Sequence, residues 1–208
     1  MQAQPKRILA TALFAITWIA AVAFGVRVLF QYENTPGHVG TLAPEWPAAH
    51  IERATDRPTL VMLAHPHCPC TASSVGELAQ IMARFQGKVA AYVLIVKPKE
   101  AGGAWEDTNL RRSAEAIPGV KVVIDPDGME AGRFGAETSG HTLLFGADGH
   151  LLFSGGLTAS RGHAGDNAGE SAILALLNHQ TPAQTRTLVF GCSLINSART
   201  ESKAICLK

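Results

Sequence analysis

Residues 59–71 read TLVMLAHPHCPCT, and the fold is read outward from them. Thr59 to Ala64 is a continuous apolar run, long enough for a buried strand and too short for a helix. It stops at His65-Pro66. From Thr71 to Phe85, the apolar residues Val75, Leu78, Ile81, Met82 and Phe85 recur at three- and four-residue spacing, and Gly87 follows, which predicts an amphipathic helix with a glycine stop. Two cysteines, Cys68 and Cys70, stand where the strand ends and the helix begins.

Downstream the pattern repeats. Val89 to Val96 reads as a second buried strand closed by Pro98, and Glu106 to Ala116 as a helix with Asp107 as cap and Pro118-Gly119 as stop. Val120 to Ile124 is a third strand, and Met129 to Phe134 a short helix. Thr142 to Phe145 and Leu151 to Phe153 flank Gly146-Ala147-Asp148-Gly149, a hairpin signal. The polar, glycine-rich loop Gly155 to Gly169 leads to a last helix over about Glu170 to Leu177, for which Asp166 or Asn167 is a cap unless the loop serves the site. Helices between short buried strands imply right-handed crossovers, so the expected class is α/β, with a mixed, mostly parallel sheet, helices on both faces and an antiparallel edge.

Of the 208 residues only 17% are charged, below the roughly 25% of a soluble domain. The eighteen basic and seventeen acidic residues leave a net charge of +1 and no field to attract a phosphate backbone, so no nucleic-acid partner is expected. The deficit concentrates at the N-terminus, where Ile8 to Val26 carries no charge. As a helix that run spans about 28 Å, close to the hydrocarbon thickness of a bilayer. Lys6 and Arg7 precede it, which leaves residues 1–7 in the cytoplasm and sends the rest outward. Ala21-Val22-Ala23 offers a signal-peptide cleavage pattern, but apolar residues continue through Val28, Leu29 and Phe30 and favour a retained single-pass anchor over 8–30. Residues 31–50, with Pro36, Gly37, Gly40, Pro44 and Pro47, read as a linker.

An exported cysteine pair meets an oxidising compartment, and a helix N-terminus lowers the pKa of a sulfur facing it, so the first chemistry expected is thiol-disulfide exchange. One residue, Pro69, separates the cysteines. A bridge between them closes a small rigid ring, which makes it readily reducible and of little use as a staple. The rival reading is a metal site. His65, His67, Cys68 and Cys70 mix sulfur and imidazole in a way that suits copper or zinc, but neighbours on a strand end point in alternate directions. Cys68 and Cys70 completed by a distant histidine, His141 or His163, is the better version of it. In the tail, Cys192 either pairs with Cys206, the preferred reading, or resolves a mixed disulfide at Cys68.

The strand ending in a cysteine pair, the inserted helix and strand between Trp105 and Ile124, and the Asp148-Gly149 hairpin resemble the thioredoxin-like superfamily, especially its membrane-anchored periplasmic TlpA and ResA type. The segments HPHCPCT, TLLFGADGHLLFSGG and SRGHAGDNAG are also similar to bacterial proteins labelled RedB. The resemblance implies a thioredoxin-like domain over 51–180, a tail over 181–208, and a location on the periplasmic side of a Gram-negative inner membrane. It implies an oxidoreductase without cofactor, in which Cys68 attacks a protein disulfide, Cys70 resolves the mixed disulfide, His67 tunes the thiolate and Pro69 restricts the ring. Its partners are then periplasmic protein thiols or disulfides and a membrane electron donor. Two features depart from the family: its Cys-x-x-Cys has lost a residue, and Gly140 stands where a cis-proline is expected. That second departure keeps a Sco-like copper carrier, using Cys68, Cys70 and His141, as the alternative.

Overall fold

The computed structural model describes residues 5–195. Two units are distinct, one ending at Thr35 and one beginning at Pro36. The first is a single helix, α1 (Pro5–Asn34), whose apolar side chains are exposed throughout. Its stretch Arg7–Asn34 is long and apolar enough to cross a membrane. The helix runs four residues past the expected Phe30.

The second unit is built on a five-stranded mixed sheet in the order β3-β2-β1-β4-β5, with β1 (Thr59–Ala64), β2 (Ala90–Lys97), β3 (Val120–Pro126), β4 (His141–Phe145) and β5 (Leu151–Gly155). β1, β2 and β3 run parallel, β4 is antiparallel to β1, and β5 returns along β4 as the hairpin expected from Asp148-Gly149. Of the described strands, β1, β2, β3 and β5 point the same way and β4 opposes them, the mixed, mostly parallel sheet expected. β1 lies at the centre, and all six of its residues are buried.

Alternation along β1 divides the core. Leu60, Met62 and Ala64 face α2 (Pro69–Arg84), α3 (Asn109–Glu115) and α5 (Ala168–Leu177), meeting Val75, Leu78, Ile81, Leu110 and Ile173. Val61 and Leu63 face the other way, toward α4 (Met129–Phe134), and pack with Phe134 and Phe145. Thr108 caps α3 by accepting from the Arg111 N–H, in place of the expected Asp107. Asn167 caps α5, its side chain accepting from the Glu170 N–H at 2.7 Å.

Two segments expected to lie outside the domain belong to it. Residues 36–50, part of the stretch 31–50 read as a linker, are laid along the α4 face: the Gly37 N–H donates to Val189 O at 2.8 Å and the Trp46 N–H to Gly149 O at 2.8 Å. The Trp46 ring stands edge-on to Phe134 and Phe145, with centroids 5.2 and 5.1 Å away. The first part of the expected tail, 185–194, is held by Ser154, Gly156 and Glu137, and buries Val189, Phe190 and Leu194. These stretches lack helical or strand periodicity because they pack through single side chains and isolated bridges.

Candidate active site

The end of β1 delivers the chain to the start of α2 through His65-Pro66-His67. Cys68 is the N-cap of α2, in extended backbone at φ −84° and ψ 108°, and Pro69 takes the first helical position, where its missing N–H costs nothing. The Cys68 sulfur therefore sits at the positive end of a sixteen-residue helix. Only 1% of Cys68 and 7% of Cys70 is exposed.

Three more segments converge here. The loop 137–140 lies against the turn: the Gly140 N–H donates to Leu63 O at 2.8 Å, and Ser139 Oγ accepts from the His65 N–H at 2.8 Å and lies 2.7 Å from Thr71 Oγ1. Gly140, where the resemblance implied a proline, has φ +88°, and a Cβ there would come within 3.2 Å of Ser74 Oγ. A left-handed residue with its N–H in use cannot be proline, which explains that departure. The second segment is 191–194, bridged to 137–139: the Ser139 N–H donates to Cys192 O at 2.8 Å and the Leu194 N–H to Glu137 O at 2.9 Å. This puts the Cys192 N–H 3.4 Å from Cys68 Sγ.

The third segment is the glycine-rich loop, which folds back over α2. Ser73 Oγ donates to Gly162 O at 2.7 Å, and the buried Glu77 accepts from the Gly165 N–H at 2.7 Å. Arg161 donates to Gly191 O at 2.7 Å and hydrogen-bonds Cys70. The loop thus serves both readings offered for it, since Asn167 caps α5 while Arg161 reaches the cysteines.

The two sulfurs differ sharply. Hydrogen bonds from the Cys192 thiol, then from Cys70, and more weakly from Thr71 and the Cys192 amide, hold the Cys68 thiol far below its ordinary pKa despite burial. Cys70 is pushed far up, because it donates its proton to Cys68, is partly buried and faces the Cys68 charge; Arg161 acts the other way. These surroundings favour the thiolate at Cys68 and the protonated thiol at Cys70.

The histidines do not take the roles read for them. His67 is exposed and rests edge-on against Trp105, with centroids 4.3 Å apart. It is His65 whose charge couples to Cys68, although burial comes first and lowers its pKa. His65 also stands edge-on to Trp105 at 5.7 Å, so the three rings form one wall beside the cysteines. His141, on β4, is fully buried on the opposite, α4-facing side with Nε2 2.8 Å from Ser154 Oγ, and burial lowers its pKa to about 4. His163 is exposed beside Ser160. Among the described residues no group of three or more His, Cys, Asp or Glu side chains is placed to hold a metal ion, so Cys68, Cys70 and His141 do not form the metal site read as the alternative.

Cys206 lies outside the described residues, and so does its expected pairing with Cys192. Sequence reading gave no role to Ser139, Trp105 or Thr71, and ranked Cys192 low as a site residue. The apolar run Leu188-Val189-Phe190 just before Gly191-Cys192 is the signal that this part of the tail is buried.

No family model and no curated protein matches the chain. Among solved structures, it is similar to the hypothetical protein SMc02350 of Sinorhizobium meliloti 1021, with TM-score 0.59 and 18% identity over 76% of this chain and 97% of that one. It is also similar to an uncharacterized conserved protein of Geobacillus kaustophilus, with TM-score 0.58 and 19% identity over 81% of this chain and 96% of that one. A thiol-disulfide oxidoreductase from Bacteroides fragilis NCTC 9343 matches with TM-score 0.43 and 17% identity over 64% of this chain and 85% of that one. At such identities the likeness is one of architecture: by its strand order, its hairpin and the helix that follows its central strand, this chain has a thioredoxin-like fold.

Proposed function

We propose that the chain is a membrane-anchored thiol-disulfide oxidoreductase acting on protein thiols or disulfides in the periplasm, tethered to the inner membrane by α1. The observation that carries the reading is the placement of two neighbouring sulfurs, Cys68 at the N-cap of α2 and Cys70 two residues on, in surroundings that favour the thiolate at the first. As a reductant, Cys68 attacks one sulfur of a partner disulfide. The Cys68–partner bond forms, the partner's S–S bond breaks, and its second sulfur leaves as a thiolate. Cys70 then loses its proton and attacks Cys68, releasing the first partner sulfur and leaving a Cys68–Cys70 disulfide. Two electrons pass to the partner, and a membrane electron donor must restore the dithiol. Run in reverse, the same steps oxidise a dithiol. Pro69 favours that direction by straining the small ring.

The full chain in detergent, reduced and then mixed with a chromogenic aromatic disulfide, tests this. The expected result is fast release of chromophore with formation of an intramolecular disulfide at Cys68, and loss of both in Cys68→Ser. Failure of Cys68 to react, together with stoichiometric Cu(I) binding that needs both Cys68 and Cys70, would overturn it in favour of copper handling.

A further inference from the structure

The sulfur of Cys68 has two neighbouring thiols, and the mechanism above uses one. Cys192 reaches it through its amide, at 3.4 Å, and through its side chain. It is held in place: Ser139 and Arg161 bind the carbonyls of Cys192 and Gly191, and Leu194 is tied to Glu137. A Cβ on Gly191 would lie 2.0 Å from Ser139 O, so only glycine allows this approach. Cys192 is partly exposed while Cys68 is buried, so a proton leaving the Cys192 thiol has access to solvent. The bridge from Cys68 to Cys70 must close across Pro69, whereas one to Cys192 joins segments with no such ring.

We infer that Cys192 is a second resolving thiol for Cys68, so that the oxidised chain carries a Cys68–Cys192 disulfide. The inference rests on the oxidoreductase reading of Cys68. In the mixed disulfide between Cys68 and a partner, the Cys192 thiol gives its proton to solvent and attacks Cys68 Sγ. The Cys68–Cys192 bond forms, the Cys68–partner bond breaks, and the partner sulfur leaves as a thiolate. A Cys68–Cys70 disulfide rearranges to the same product without net oxidation. Cys192 attacks Cys68, and Cys70 departs as a thiolate beside Arg161, whose charge favours that form once the Cys68 charge is consumed in the bond.

The test uses the full chain in detergent as Cys70→Ser, reduced, treated with glutathione disulfide, quenched in acid, alkylated and digested with trypsin. Cys68 falls in the peptide Ala54–Arg84, Cys192 in Thr187–Arg199 and Cys206 in Ala204–Lys208. The expected product is Ala54–Arg84 linked to Thr187–Arg199 with loss of the glutathione adduct, and the adduct accumulates when Cys192→Ser is added. A persistent Cys68–glutathione adduct in Cys70→Ser, or Cys192 linked to the Cys206 peptide, overturns the inference. In that case the wild type still closes Cys68 to Cys70 and releases glutathione, which leaves the oxidoreductase reading intact. No reaction at Cys68 in any variant overturns both.

Discussion

Ser139 and Cys192 are joined by a 2.8 Å hydrogen bond from amide to carbonyl, and the Ser139 hydroxyl holds the other side of the site by accepting from the His65 N–H and bonding Thr71. One buried serine thus registers the end of β1, the start of α2 and the returning tail. Replacing Ser139 with alanine leaves the buried Thr71 hydroxyl without this partner and the His65 N–H without its acceptor, at a cost of about 1–3 kcal/mol. Urea unfolding of the full chain should show that loss. An unchanged midpoint would mean that water replaces the hydroxyl without penalty.

Cys68 owes its low pKa first to the Cys192 thiol. The ultraviolet absorbance of its thiolate, followed as pH falls in the reduced chain, should persist well below the ordinary thiol range and be absent in Cys68→Ser. In Cys192→Ala the titration should move upward, because the amide remains as donor but the thiol is gone. A titration that does not move would assign the depression to the helix terminus and Cys70.

Burial depresses His141 from 6.5 to about 4, so it is neutral in the fold, whereas the unfolded chain protonates it below 6.5. The unfolded state therefore binds the extra proton. Stability from this group is present above pH 6.5 and is lost as pH falls toward 4, by about 3 kcal/mol. His141→Gln should flatten the acid side of the stability profile by a similar amount, measured by denaturant unfolding at successive pH values. A parallel profile would remove His141 as the cause.

Trp46 sits in the stretch that composition reads as a linker, yet its ring braces Phe134 and Phe145. Trp46→Ala should cost about 3 kcal/mol, a core-sized loss. A change within a few tenths of a kcal/mol would return residues 36–50 to the role of spacer.

Gly140→Pro tests the departure at the family's proline position. It removes the N–H that bonds Leu63 O and demands a negative φ where the backbone has +88°. The expected loss is about 3 kcal/mol or more, with Gly140→Ala costing about 1–2 kcal/mol through its left-handed backbone. Thermal unfolding distinguishes the two. Tolerance of proline would show that this loop can give up both the Leu63 hydrogen bond and its left-handed backbone.

The sheet and its helices were legible because each is announced locally. The unbroken apolar run of Thr59 to Ala64 marks a strand buried on both faces, and Asp148-Gly149 marks the hairpin. The cysteine pair and its place at the helix start were legible for the same reason. What was not legible depends on distant chain segments meeting. Nothing near Cys68 in the sequence says that Cys192, 124 positions away, will supply its amide. Nothing near Arg161 says that its loop folds back, since that is settled by Glu77 and Ser73 on α2. His67 drew attention through its neighbours, although the turn between β1 and α2 leaves its ring exposed against Trp105 and His65 beside the sulfur.

The return of residues 191–194 to the two cysteines also sets an order of assembly. A chain that emerges from its N-terminus exposes Cys68 and Cys70 long before residue 192 appears, so a nascent domain carries an uncovered, unbuffered cysteine pair until its last stretch docks. Truncation before Gly191 would leave the strands β1 to β5 to fold, yet with a different reactivity at their centre. Quality control that tests only whether the sheet has formed would pass such a product.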